Sequence, residues 1–409
     1  MPRRPKPLTR PYRAYDYRQV PAEDTELTHV GPGTPGGEYL RRFWQPVALA
    51  TDVTDLPKRL RILGEDLVLF RDRAGRTGLL QLHCSHRGTS LEFGLVSERG
   101  LRCCYHGWLF DVDGTILETP GEPAGSTLRN RLCHGAYPTR EYKGLVFAYL
   151  GPPVQPPAFP IYDTFEKPGY ATTSASWVWP ANWIQIRENS MDPVHTSFLH
   201  TIVTGAQFTE EFGVIPETEW QETPIGMIYV ATRRVNENLW TRIADFILPN
   251  IHQFPSNWNE TKNEAVFKQP MMTNWSVPID DTHTLIIGFF YQAAGGSIDF
   301  RQMLEDLPGQ VRDRTYEERQ RQPGDYEAQV LQRPIAVHAL EHLGTTDRGV
   351  SMFRKLVRGG IRAAADGKDP KGWLAAPVAP IPTYCQDAIQ RVPAHGGTNA
   401  EAAVESPHA

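Results

Sequence analysis

Two short stretches of the chain carry residues that bind transition metals. The first begins as Cys84-Ser85-His86-Arg87-Gly88 and, with sixteen residues between His86 and Cys103, ends as Cys103-Cys104-Tyr105-His106-Gly107-Trp108. Each half offers one thiolate and one imidazole, C-x-H and then C-x2-H. Two such loops facing each other make a closed cage of four ligands. A structural zinc held by two Cys and two His is one reading, but zinc loops usually pair like with like. One ligand of each kind per loop suits a [2Fe–2S] cluster of Rieske type, with two cysteines on one iron and two histidines on the other. Gly88 and Gly107 would let backbone amides approach bridging sulfides, where hydrogen bonds tune the potential. The C-x2-H spacing selects Cys103, so Cys104 is expected to be a small buried thiol with no ligand role.

The second stretch is Asn182 to His200, with the pattern E-x3-D-x2-H-x4-H in Glu188, Asp192, His195 and His200. Two imidazoles and a carboxylate on one face of a ferrous ion leave positions open for O2 and substrate. Residues five apart sit roughly 140° apart on a straight helix. His195 and His200 therefore need a distorted helix to share a metal, and Pro193 is placed to cause one. Taken alone, two histidines near a proline are more often structural.

These loops need a scaffold, and the chain around them reads as short strands. Val47–Ala50, Leu67–Phe70 and Leu79–Leu82 are apolar runs divided by turn residues such as Asp72 to Gly75. Trp108 to Thr115 reads as a hairpin turning at Asp113-Gly114, and Leu145–Leu150 closes the block. The proline-rich spacer Gly151 to Pro157 marks a domain boundary. The expected organisation is an N-terminal arm and helix over 1–45, the helix spanning Gly36 to Trp44, followed by an all-β domain over 46–151. A larger α+β domain covers 158–385, and a tail over 393–409 has nothing to bury. Strands are expected at Ile225–Thr232 and Thr284–Tyr291. A helix capped by Thr346 is expected to bury Val350, Phe353, Val357 and Ile361.

The composition is that of an ordinary soluble globular protein. The 409 residues are 40% hydrophobic and 22% charged, with 42 Lys plus Arg against 47 Asp plus Glu. A net charge of −5 disfavours a general nucleic-acid binder. No apolar run approaches the ~18 residues of a membrane helix, and the basic N-terminus lacks a signal-peptide core. A cytoplasmic protein without nucleic-acid or membrane partners is expected. The 35 prolines and 34 glycines argue for many strands and turns. Five cysteines in a reducing compartment are no disulfide framework.

C-x-H-R-G with C-x2-H-G-W, followed by E-x3-D-x2-H-x4-H, resembles the Rieske non-haem iron oxygenases over about residues 26–365. It does not resemble the respiratory-chain Rieske protein, which has an extra cysteine pair and a membrane anchor; position 89 here is Thr89. The resemblance implies a β Rieske domain and an α+β catalytic domain whose antiparallel sheet is flanked by helices in a helix-grip-like arrangement. It implies a [2Fe–2S] cluster on Cys84, His86, Cys103 and His106, and a mononuclear Fe(II) on His195 and His200. Asp325 is implied as the third ligand, with Glu327 in reserve. His338 and His342 are expected at the surface or in support of the ligands. Asp192 is implied to bridge the cluster histidine of one subunit to the iron histidine of the next, in a homotrimer or stacked hexamer.

The activity implied is that of a terminal oxygenase fed by a separate NAD(P)H-dependent reductase, with or without a ferredoxin. The resemblance is strongest to the phthalate dioxygenase-like group, within which Thr28 to Glu38 and His195 to Phe208 look like the O-demethylases of lignin-derived methoxyaromatic acids of the dehydrodivanillate type. Phthalate-type oxygenation of an aromatic carboxylate is the alternative. A carboxylated substrate would want an arginine in an apolar pocket, with Arg233, Arg234 and Arg242 as candidates. The aromatics Trp240, Phe246, Trp258, Phe289 and Phe290 are expected in the core. A non-catalytic electron carrier or metal-stabilised binding protein is the remaining class, although a carrier needs only the first domain.

Overall fold

A computed structural model describes residues 6–154, 156–203, 205–258, 265–293, 295, 296, 303, 310, 313–376 and 380–392. The expected tail over 393–409 lies outside them.

The N-terminal part is built from short antiparallel strands, as its turn-rich sequence predicts. Trp44–Leu49, Leu145–Tyr149 and Thr139–Tyr142 form one sheet, in the order first, last, middle along the chain. Lys58–Ile62, Glu65–Arg71, Thr77–Gln81 and Ala136–Tyr137 form a second. Leu95–Val96, Leu101–Arg102, Leu109–Phe110 and Ile116–Glu118 form a third. Val68, Phe70, Leu80, Leu101 and Phe110 pack into a small core that also takes in Cys84 and Cys103. The two Cys/His loops are thus anchored by the small core to which their cysteines belong. The hairpin turn falls at Gly114 (φ +85°), but its flanking strands are shorter than expected.

Beyond the proline-rich spacer the chain folds into one antiparallel sheet of nine strands. Seven run in the order Tyr170–Trp179, His283–Ala293, Met272–Asp280, Ile251–Phe254, Asn238–Ile247, Gly226–Val235 and Glu217–Glu222, with Ala265–Phe267 and Gln386–Arg391 branching off. Strand alternation gives the middle of the sheet two faces. Trp275, Val277, Ile287, Phe289 and Tyr291 join an aromatic core that crosses to the N-terminal part, with Phe147 5.5 Å from Trp275. His252, Phe254, Met272, Asn274, Ile286 and Phe290 point the other way and floor a cavity.

The helices differ from expectation at their ends. The helix expected over Gly36 to Trp44 runs Pro35–Arg41 and is capped by Thr34, whose hydroxyl accepts from the Gly37 N–H at 3.2 Å. Trp44 already belongs to a strand, paired with Tyr149, and its indole donates to the Pro157 carbonyl at 3.0 Å. The C-terminal helix Arg348–Ala365 buries Val350, Phe353, Val357 and Ile361 as the spacing predicts. Its N-cap position is Asp347 and not Thr346, since Thr345–Asp347 forms a tight 3-10 turn that delays the helix. Among the described residues no helix is long and apolar enough to cross a membrane.

Candidate functional site

The two Cys/His loops are near copies in their backbone bonding. Cys84 N–H donates to the Thr89 carbonyl (2.9 Å) and Gly88 N–H returns to the Cys84 carbonyl (2.8 Å). Cys103 N–H donates to the Trp108 carbonyl (2.8 Å) and Gly107 N–H returns to the Cys103 carbonyl (3.1 Å). Both glycines take positive φ (+75° and +72°), a conformation that side chains rarely adopt. The loops bury Cys84 and Cys103 and present His86 and His106 edge to face, with ring centroids 4.5 Å apart. His86 is exposed and lies flat on Trp108 (4.7 Å, 6°). Burial pushes the Cys84 thiol up to about 11, while the backbone N–H groups of His86 and Arg87 hydrogen-bond its sulfur and pull it down. Buried thiols facing each other, amides aimed at sulfur and two imidazoles on the rim fit a [2Fe–2S] cluster. Cys104 is exposed, contrary to expectation, because it follows a buried residue on a turn.

His195, His200 and Asp325 converge, with donor atoms that all lie within 4.8 Å of one another. His200 Nε2 is 3.4 Å from Asp325 Oδ2, and His195 Nε2 is 3.9 Å from Asp325 Oδ1. The helix Trp183–Asn189 leads into this segment and is capped by Asn182, which accepts from Ile184 N–H at 3.2 Å. The distortion that the H-x4-H spacing demands is present, but not at Pro193. After a single turn at His195–Ser197 the chain makes a π-helical turn over Phe198–Ile202, with Val203 N–H bonded to the Phe198 carbonyl at 2.9 Å. An i→i+5 turn stacks residues five apart on one side. Pro193 precedes both histidines and so cannot change the angle between them.

The other nitrogen of each imidazole is committed. His195 Nδ1 meets the Asp192 carbonyl, and His200 Nδ1 meets Gln207 Oε1 at 2.8 Å. Donation at Nδ1 leaves the Nε2 lone pairs facing the Asp325 carboxylate, the tautomer a metal requires. Asp325, at the start of the helix Asp325–Val330, accepts from Gln310 (2.7 Å), Gln329 (3.3 Å) and Asn189 (3.4 Å). Burial alone would raise its carboxyl pKa, but His200 and His195 hold it well below the usual range. Burial lowers His195, while at His200 the Asp325 carboxylate outweighs burial and raises it. Two imidazole nitrogens and one oriented carboxylate fit a mononuclear iron. Asp192 Oδ1 accepts from Val194 N–H at 2.8 Å, and its side chain is partly exposed.

Several other candidates fall elsewhere. Glu327 pairs with Arg314 (2.8 Å) and Arg319 (2.9 Å), away from the histidines. His342 is exposed. His338 is buried, 3.7 Å from Asp24 and 3.9 Å from Glu188, where Arg354 ties Glu188 to Glu341. Arg233 is spent on the Val214 carbonyl (2.8 Å) and Thr196 (2.8 Å), and Arg234 is exposed. Arg242 does line the cavity. It donates to the Pro255 carbonyl (3.1 Å) and Asn257 (3.4 Å), its Nε is unpaired, and its guanidinium lies 4.8 Å from the Phe212 ring centroid.

The cavity opens directly on His195, His200 and Asp325 and has a volume of about 310 Å³. Trp177, Trp179, Phe208, Phe212, Phe254 and Phe290 supply aromatic walls. Trp240, Phe246, Phe289 and Phe290 are buried as expected, with Trp258 half-buried against the core, and Phe290 also faces the cavity. The expectations also missed Gln207, Gln310, Gln329 and Asn189 around the ligands, and Arg187 and His252 in the cavity floor. Arg187 and Asn189 stand inside the motif segment itself, while His252 has only strand alternation to mark it.

Comparison with known proteins places this geometry among oxygenases. Residues 43–138 match the Rieske [2Fe-2S] domain. The chain is 43% identical over 412 residues to the tert-butanol monooxygenase / tert-amyl alcohol desaturase oxygenase subunit of Aquincola tertiaricarbonis, covering 93% of this chain and 86% of that one. It is 41% identical to the phenoxybenzoate dioxygenase subunit alpha of Ectopseudomonas oleovorans (87% and 89% covered). It is 31% identical to the 5,5'-dehydrodivanillate O-demethylase oxygenase subunit of Sphingobium sp. (strain NBRC 103272 / SYK-6) (90% and 87%). Among solved structures, dicamba monooxygenase bound to dicamba superposes with a TM-score of 0.59 at 17% identity, covering 80% of this chain and 99% of that one.

Proposed function

This chain belongs to the Rieske non-haem iron oxygenases, as the oxygenase component of a multicomponent system, and from that premise we propose that it O-demethylates a methoxylated aromatic acid of lignin type. The observation that carries this reading is the aromatic-walled cavity of about 310 Å³, lined by buried Arg242 as well as by the two histidines. Arg242 would take the substrate carboxylate, because a guanidinium in an apolar cavity favours an anion. The aromatic walls would hold the ring flat and exclude water. The balanced reaction consumes O2, NAD(P)H and a proton with the methyl ether, and yields a phenol, formaldehyde, water and NAD(P)+.

Cys84, His86, Cys103 and His106 would hold the [2Fe–2S] cluster, and His195, His200 and Asp325 the iron. When bound, these two centres supply the electrons and the O2 chemistry. Gln207 and the Asp192 carbonyl keep the imidazoles in the metal-binding tautomer, and Gln310, Gln329 and Asn189 hold Asp325 in its orientation. Asp192, partly exposed, would bridge to a cluster histidine of a neighbouring subunit in a homotrimer or stacked hexamer. The electron donor would be a separate NAD(P)H-dependent reductase, with or without a ferredoxin, in the cytoplasm.

A second reading is oxygenation of the aromatic ring of a carboxylate. It is favoured by the same arginine and by the 41% identical relative, named as a phenoxybenzoate dioxygenase. Oxygen uptake and formaldehyde release separate the readings, using loaded protein, a surrogate reductase, NADH, methoxybenzoates, unmethoxylated aromatic acids and tert-butanol. Formaldehyde in step with uptake is the expected result. Uptake with a hydroxylated acid and no formaldehyde supports the ring reaction. Uptake with tert-butanol alone rejects both aromatic readings, and no stimulated uptake in protein holding both centres returns the non-catalytic class.

A further inference from the structure

Between the helix Trp183–Asn189 and His195 the chain leaves helical conformation, yet this break carries the carbonyl that His195 meets. Three successive carbonyls there are each taken by a side chain. The Met191 carbonyl accepts from the Trp220 indole N–H at 3.1 Å. The Asp192 carbonyl meets His195 Nδ1. The Pro193 carbonyl accepts from the Thr196 hydroxyl at 2.7 Å and from Arg233 Nη2 at 3.2 Å. The same Nη2 donates to Thr196 Oγ1 at 2.8 Å, and Arg233 Nε donates to the Val214 carbonyl at 2.8 Å.

The two outside donors come from neighbouring strands. Trp220 on Glu217–Glu222 stands opposite Tyr229, and strand alternation puts Tyr229 and Arg233 on one face of Gly226–Val235. Arg233 is 1% exposed, and its hydrogen-bond partners among the described residues are carbonyls and a hydroxyl, with no carboxylate. An ionised donor makes a stronger bond than a neutral one, and a guanidinium offers several in a fixed fork. The C-terminal helix Arg348–Ala365 leaves space for the indole. A Cβ at Gly349 would lie 2.1 Å from Trp220 Nε1 and 2.7 Å from the Met191 carbonyl oxygen.

Pinning the Met191 and Pro193 carbonyls fixes the peptide groups on either side of the Asp192 carbonyl. The Pro193 ring fixes φ at the joint between them. The Asp192 carbonyl is thereby aimed and cannot swing. An aimed acceptor at Nδ1 keeps the Nε2 lone pair of His195 toward Asp325. His200 needs no such bracing of the backbone, because a side chain, Gln207, meets its Nδ1.

We propose that Arg233 and Trp220, with Gly349 making room for the indole, are positioning residues for the iron, acting on His195 through the Asp192 carbonyl. This rests on the assignment of His195 as an iron ligand and is independent of which substrate is oxidised.

Melting curves of cluster-containing protein, recorded with and without ferrous iron, test this. A metal that binds only the folded chain raises the melting temperature by an amount set by its affinity. Wild type is expected to show that rise. Arg233→Met keeps the stem and removes the donors. It is expected to weaken iron binding about tenfold, the low end of what losing such a support costs, and so to shrink the rise. Arg233→Lys, which keeps a charged donor, is expected to restore part of it. Trp220→Phe, which keeps an aromatic ring without the N–H, and Gly349→Ala, which crowds the indole off the Met191 carbonyl, are expected to shrink it less. A merely structural role would lower the melting temperature equally with and without iron. An undiminished rise in both Arg233→Met and Trp220→Phe therefore overturns the proposal, and Trp220→Phe alone decides if Arg233→Met does not fold. No rise in wild type overturns the assignment of the iron ligands and this inference with it, whereas a wild-type rise that the variants share in full overturns this inference alone.

Discussion

The Cys84/Cys103 loops and the His195/His200 segment gather groups that could hold a metal, and they do so by opposite means. The loops are local devices. Each is closed by two backbone hydrogen bonds and one left-handed glycine, and each leaves its imidazole toward the surface. The second site is a long-range device, in which Asp325 comes from 125 residues beyond His200 and the side-chain amides of Asn189, Gln310 and Gln329 orient it. Electrons must enter the molecule from a partner, so the first centre needs an accessible edge. Oxygen chemistry needs exclusion of water, so the second is enclosed at the end of a cavity.

The comparison breaks most severely at the enclosed site. Asp325→Ala is expected to abolish turnover while the visible absorbance of the cluster persists; loss of the absorbance as well would mean that the two centres are not independent. Gln207→Leu removes the acceptor for His200 Nδ1, along with a long bond from Gln207 Nε2 to the Pro323 carbonyl (3.5 Å). Iron affinity is expected to fall about 10- to 100-fold, the usual cost of losing such a support, read by metal content after dialysis against a chelator. An unchanged iron content would mean that the local chain alone sets the tautomer. The mildest change falls on the loops. Gly88→Ala meets no neighbouring atom, so its cost is the left-handed backbone alone, about 1–2 kcal/mol. That should lower the melting temperature by a few degrees while the cluster stays in place. A larger loss would show that the amide geometry at Gly88 supports the cluster directly.

This contrast also explains what the amino-acid sequence makes legible. Cys84, His86, Cys103 and His106 were legible because local backbone rules place them and their spacing is short. His195 and His200 were legible as a pair, but their distortion was assigned to Pro193, since proline is the visible helix breaker and a π turn carries no marked residue. Asp325 came only from resemblance, because nothing in its neighbourhood distinguishes it from Glu327 until Arg314 and Arg319 claim the latter. Gln207, Gln310 and His252 were invisible, since their roles depend on which strand or loop faces them across the fold. Cys104 was misjudged because a thiol beside a buried thiol was given its neighbour's environment. The β-rich first part and the antiparallel second sheet followed from turn residues and alternation. Helix ends did not, because Thr34 and the Thr345–Asp347 turn compete with the periodic pattern.

The π turn at Phe198–Ile202 bears on how this enzyme tolerates changes in length. It is a helix holding one surplus residue, and Phe198 and Ile202 in that bulge face solvent. Deleting a single residue there would let the turn tighten to i→i+4 bonding, which also places two side chains on a common side. The same deletion between Asp192 and His195 would break the ring closed by the Asp192 carbonyl and His195 Nδ1. Within eleven residues, the chain therefore holds one position where its length is adjustable and another where it is fixed.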